Sequence, residues 1–106
     1  MSAPDKDARE AAEFAATYWG GKGCEPAYAG TTAGRRDIDG GRPTFRRAWT
    51  FTSLDDAWPY VMYRSETTDR FVVQSLCDDG FAEFWLEGDE WVVRTGWSND
   101  MKRVPR

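Results

Sequence analysis

The sequence predicts an α+β fold in which one N-terminal helix packs on a four- to five-stranded antiparallel β-meander. Three observations predict it. Alanines recur at spacings of three and four between residues 8 and 15, the period of a helix face. From residue 44 onward, short runs rich in Val, Phe, Trp, Tyr and Thr alternate with turn residues. Between these regions, residues 20–43 hold seven of the ten glycines: Gly20, Gly21, Gly23, Gly30, Gly34, Gly40 and Gly41. A chain of 106 residues has room for one domain, read here as 1–106.

The helix is expected over 5–19, "DKDAREAAEFAATYW". Ala and Glu are strong helix formers, and Asp5 and Asp7 crowd the first turn, where the helix dipole favours acids. Ser2 or Asp5 is the expected cap, and Gly20-Gly21 the stop. Ala8, Ala11, Ala12, Ala15 and Trp19 form a stripe of mostly small side chains that lets the helix lie close to a sheet. Phe14 and Tyr18, four apart, extend its edge. The glycine-rich stretch 20–43 is long for a connection inside a domain and reads as a functional or mobile loop. "PAYAGTT" leaves room in it for a short strand.

Strands are expected at 44–52, 58–65, 70–77, 81–87 and 90–97. "SLDDA" at 53–57 is an alternative short helix, with Ser53 as cap. Pro59 puts the start of its strand after it, or the strand at an edge. The polar tail 98–106, "SNDMKRVPR", reads as frayed. The last hairpin carries the most detail. A Gly88-Asp89 turn sets Glu87 opposite Glu90, then Leu86 opposite Trp91, Phe84 opposite Val93 and Ala82 opposite Thr95 on one face. Trp97 continues that buried face beneath the helix. The other face pairs Trp85 with Val92 and Glu83 with Arg94. A type I′ turn at Asp79-Gly80 would add Phe71, Val73 and Cys77 to the core face.

Composition bounds the class. Hydrophobic residues are 41%, charged residues 30% and aromatics 15%, which fits a folded chain. Each buried aromatic hides roughly 150–250 Å², so few residues can build a small core. A net charge of −4 argues against nucleic acid as a direct partner, because phosphate binding needs a dominant basic surface. No apolar run nears the roughly 20 residues that span a bilayer, and "MSAPDKDARE" lacks the apolar segment of a secretory signal. A cytoplasmic protein with no membrane partner is expected. Cys24 and Cys77 then read as free thiols, Cys77 within the core and Cys24 in a more exposed loop.

The chain has no histidine, which removes the usual base near neutral pH, the commonest metal ligand and every Ser-His or Cys-His arrangement. Two distant cysteines cannot form a four-thiolate zinc site. "GGKG" at 20–23 follows a helix and lacks the Lys-Ser/Thr ending of a phosphate loop. "DIDGG" at 37–41 lacks the twelfth-position Glu of a calcium loop, since residue 48 is Ala. The acid pairs Asp55-Asp56, Asp78-Asp79 and Glu83/Glu87 would need burial to split their pKa values for hydrolysis. No catalytic residue, metal or cofactor is expected, and the chain reads as a non-enzyme.

Two charge clusters remain. Residues 78–90 hold Asp78, Asp79, Glu83, Glu87, Asp89 and Glu90 with no base among them. Arg35, Arg36, Arg42, Arg46 and Arg47 face only Asp37 and Asp39, a local balance of +3. The leading expectation is a small acidic protein-interaction module. Trp85, with Arg94, the acids of 78–90 and Tyr60 or Tyr63, would meet a basic protein surface. A rigid spread of carboxylates can also occupy a basic groove built for nucleic acid. In size and charge the chain is similar to small inhibitors of phages and mobile elements, anti-CRISPR proteins among them, although no motif carries that likeness. The alternative is a cone-like α+β domain, small-molecule-binding or enzymatic, with an aromatic-lined pocket. A third reading uses the arginine loop, with Trp49 and Phe51 stacking on nucleic-acid bases.

Overall fold

A computed structural model describes residues 6–36, 38, 40, 41, 44–65 and 68–106. The expected caps Ser2 and Asp5, the calcium-like acids Asp37 and Asp39, and Arg42 lie outside these residues. Helix α1 spans Lys6–Gly20, followed by β1 (Ala27–Ala33), β2 (Phe45–Thr52), β3 (Pro59–Arg64), β4 (Phe71–Ser75), β5 (Phe81–Glu87), β6 (Glu90–Thr95) and β7 (Met101–Pro105). The strands form one antiparallel sheet in sequence order. The class is α+β as expected, with seven strands where four to five were predicted. Among the described residues no helix is long and apolar enough to cross a membrane.

The helix forms for the reasons its sequence gives. Ala11, Ala12, Ala15 and Ala16 are fully buried, so the backbone lies close over β2 and β3. Larger side chains on its flank bridge to the far strands. Phe14 stacks on Trp91 with centroids 4.8 Å apart, and Trp19 meets Phe84 at 5.6 Å. Met62, Phe71, Val73, Phe84, Trp91 and Val93 complete this core. Gly21 ends the helix at φ +105°. Beside it Gly20 has no room for a side chain, since a Cβ there would stand 2.6 Å from Cys24 Sγ.

The hairpin register is the one derived from the Gly88-Asp89 turn, from Glu87 opposite Glu90 to Ala82 opposite Thr95. Phe71 and Val73 also take the core face, though not through a type I′ turn. Gly80 does not adopt the positive φ that such a turn requires. Residues 76–80 form a longer loop, with Gly80 N donating to Asp78 Oδ1 at 2.7 Å. Strand β4 therefore stops at Ser75 and leaves Cys77 exposed, while Cys24 is buried and donates to Thr52 O at 3.2 Å. The expected roles of the two free thiols are reversed.

Trp97 departs from the expected face. Gly96 takes φ +58° and its N–H bonds Phe81 O at 2.8 Å, which ends the alternation of β6. Trp97 is 65% exposed and meets Phe81 edge-on at 5.0 Å. The tail also differs, because residues 101–105 pair with β6 as a full edge strand.

Residues 20–43 supply β1 and a cover. Strand β1 pairs with β2 and is bulged between Tyr28 and Gly30. The loop that follows doubles back over the sheet face away from the helix. There Arg35 N donates to the Tyr63 hydroxyl, and its guanidinium rests 4.2 Å from the Phe81 ring centroid. Tyr63, Val72 and Val92 are fully buried on this second face. The protein thus has apolar layers on both sides of one sheet.

Candidate functional site

The flank around Trp85 is built by β4 through β7. Alternation places Trp85 on the second face opposite Val92, where it is half-buried. The Arg70 guanidinium lies 4.0 Å from its ring centroid, and its indole N–H donates to Glu87 Oε2 at 2.9 Å. Arg103 donates to Glu87 Oε1 at 3.1 Å and stands 3.6 Å from Glu90. The indole hydrogen bond, followed by that from Arg103, holds the Glu87 carboxyl below its ordinary pKa. Glu83 is buried at 4% exposure, bonded by Arg94 and 3.5 Å from Arg70. The acids of this flank are not a bare surface. Arginines from neighbouring strands, outside the window 78–90, neutralise them. Tyr63 is sealed beneath the covering loop and Tyr60 points to the helix side, so neither extends a Trp85 patch.

A second group of acids, with no ion pair among the described residues, lies elsewhere. In a meander, alternate turns share one end of the sheet, and here three turns do so: 53–58, 76–80 and 96–100. They carry Asp55 and Asp56, Asp78 and Asp79, and Asp100, with no Lys or Arg. Each also carries one large apolar side chain in solvent: Leu54 at 60% exposure, Leu76 at 58% and Trp97 at 65%. Backbone bonds tie these turns to their neighbours, Leu76 N to Pro59 O at 3.0 Å and Leu54 N to Gly20 O at 2.8 Å. Arg35 reaches this end, its Nη1 donating to Asp79 O at 3.2 Å. Lys22 and Glu25 flank it on the segment after the helix. Of the expected acids, Asp78 and Asp79 belong to this end, while Asp89 sits at the opposite one.

A cavity of about 190 Å³ opens beside these turns, past the C-terminal end of α1. Trp19, Trp58, Tyr60 and Phe81 line it with Asp78, over small side chains such as Ser75 and Ala82. A second, shallower groove of about 390 Å³ runs between the outer flank of α1 and β7, bounded by Phe14, Tyr18 and Val104.

The predicted basic loop is not one patch. Arg46 is buried on the second face and Arg47 projects from the other side of β2. Arg35 is held on Phe81, and Arg36 is exposed. Trp49 and Phe51, the proposed stacking partners, are buried under the helix. Among the described residues no group of three or more Cys, Asp or Glu side chains is placed to hold a metal ion.

Leu54, Leu76, Asp55, Asp56 and Asp100 lie outside the acidic window 78–90, so the density of carboxylates along the chain does not point to them. Their signal was available: turns of the same parity share an end, and all three here are acidic and apolar without a base. Comparison with protein-family models, with curated proteins and with solved structures finds no match to this chain.

Proposed function

We propose that this protein is a non-enzymatic protein-binding module that presents the end bearing Leu54, Leu76 and Trp97 to a basic partner surface. One observation carries the reading. Three adjacent turns each expose a large apolar side chain beside aspartates for which no lysine or arginine is supplied on the same turn. Apolar anchors inside a charged rim are the anatomy of an interface core. Large apolar side chains grouped at one end form the kind of patch that marks an interaction site, and five aspartates favour a partner rich in Lys and Arg. An inhibitor that occupies a basic, nucleic-acid-handling groove is one form such a module takes. A small-molecule site is favoured by a different observation, the aromatic cavity next to Trp58.

The test is capture of partners from a cell extract by three immobilised proteins. They are the wild type, the triple variant Leu54→Ser/Leu76→Ser/Trp97→Ser, and the flank variant Trp85→Ala/Glu87→Ala. The expected result is a basic protein retained by the wild type and the flank variant, released by added salt, and lost from the triple variant. Retention by the triple variant with loss from the flank variant would return the interface to Trp85 and overturn the reading.

A further inference from the structure

We propose that the cavity between the end of α1 and the sheet is a binding site for a small organic cation, an alkylammonium group, with Asp78 as its counter-ion. The cavity exists because α1 stops at Gly20 while the helix-side face of the sheet continues. Past that point the face carries Val73, Ser75, Ala82 and Thr95, too small to fill the space. Interiors normally close such space, so an open one with organised walls is informative. Its volume, about 190 Å³, falls below the roughly 300–1,000 Å³ of pockets for drug-sized ligands, which limits the occupant to a head group or one side chain.

The chemistry of the walls selects a cation. Trp19, Trp58 and Tyr60 present aromatic surface, and aromatic rings attract ammonium groups, most strongly when water is excluded. The Trp58 indole N–H is already used by Ser75 Oγ, so the tryptophan is fixed in place with no donor left for an anion. Asp78 is held by Gly80 N through Oδ1, and no ion pair joins it to a base among the described residues. The field at the mouth is negative. Burial raises the pKa of the Tyr60 phenol, and the carboxylates of Asp56 and Asp78 raise it further. Arg35 rests on Phe81 but does not line the cavity. An alkylammonium ion can come free, as a small amine, or as a lysine side chain of a bound protein. The second source rests on the docking end proposed above, and the first does not.

The experiment titrates the whole protein with choline, n-butylammonium and an N-acetyl-lysine amide, and with 3,3-dimethylbutanol as the neutral isostere of choline. Chemical shifts of the Trp58 indole N–H and the Gly80 amide are the readout. Saturable shifts with the cations, at least about tenfold weaker for the neutral alcohol, are expected. Asp78→Asn keeps an oxygen for Gly80 N and removes the charge, so it should weaken the cations about tenfold and leave the alcohol unchanged. Equal binding of alcohol and choline, indifference of the cations to Asp78→Asn, or no saturable shift with any cation overturns the proposal. Preference for the lysine amide assigns a protein side chain, and preference for choline or butylammonium assigns a free amine. Loss of partner capture in the triple variant with intact choline binding breaks neither claim, whereas intact capture without cation binding removes the cavity alone.

Discussion

The Trp85 flank and the end carrying Leu54, Leu76 and Trp97 are both rich in carboxylates, yet the surroundings of those carboxylates differ. Glu83, Glu87 and Glu90 lie within strands, where Arg94 stands directly opposite Glu83 and Arg103 reaches Glu87 and Glu90 from β7. Asp55, Asp56, Asp78, Asp79 and Asp100 lie in turns, where no opposing strand residue can approach. The same contrast holds for the tryptophans. Trp85 is partnered by Arg70 and Glu87, whereas Trp97 meets the edge of Phe81 and no ion pair or hydrogen bond holds its side chain among the described residues. A charged residue in a strand is therefore better read as part of the sheet, and one in a turn as offered to solvent or a partner.

The largest expected effect separates two tryptophans that the sequence assigned to the same face. Trp91→Ala removes a side chain only 3% exposed and stacked on Phe14, and should cost about 3–5 kcal/mol in denaturant unfolding. Trp97→Ala should change stability by no more than about 0.5 kcal/mol. Equal losses would mean that Trp97 is buried and that the turn at Gly96 is wrong.

Next is the buried carboxylate. Arg94→Ala should destabilise by about 2–3 kcal/mol, at or below the low end for breaking a buried pair, because Arg70 remains beside Glu83. The double variant Glu83→Gln/Arg94→Ala should recover part of this, since no buried charge is then stranded. A double variant less stable than Arg94→Ala would show that Glu83 acts through its charge on some other group. Smaller still is Trp85→Ala, about 1 kcal/mol, the scale of its contact with Arg70 plus partial burial. A loss as large as that for Trp91→Ala would sink the distinction between flank and core.

What the sequence revealed follows local rules, and what it concealed depended on the assembled sheet. The register from Ala82 to Thr95 was legible because a Gly-Asp turn fixes the count and period-two alternation carries it outward. One residue past Thr95 the rule failed, because Gly96 has a positive φ that hydrophobicity does not encode. Strand β7 was hidden by its own edge protection: Lys102, Arg103 and Pro105 discourage further pairing and also erase the strand signature. Strand β1, all Ala, Gly, Thr and Tyr, was legible as the short strand allowed in "PAYAGTT", but the glycines of the covering loop and the bulge beside it kept it out of the predicted sheet. Two of the five aspartates of the candidate site, Asp78 and Asp79, were legible as partner-facing acids. The rest required knowing which turns share an end, and thus the number and order of strands.

The smallest expected effect tests β7 itself. Arg106 makes a two-pronged contact with Glu10 on α1, both nitrogen–oxygen distances being 2.7 Å, and so clamps the last strand to the helix. The hydrogen bonds from Arg106 hold the Glu10 carboxyl below its ordinary value of 4.5 in the folded state, against a small opposing effect of burial. A carboxylate depressed on folding binds fewer protons than in the unfolded chain, so its stabilisation is fully present above that ordinary value. It is lost as pH falls through the folded value. Both side chains keep over a third of their surface in water, which limits the contribution to about 1 kcal/mol or less. Hydrogen exchange of the β7 amides, corrected for the intrinsic rate, should therefore show protection decreasing in the wild type as pH falls below 4.5. In Glu10→Gln that protection should already be lower at neutral pH and change little across the same range. A decrease of the same size in both proteins would mean that a different carboxylate governs how β7 is held, and that the helix-side clamp is incidental.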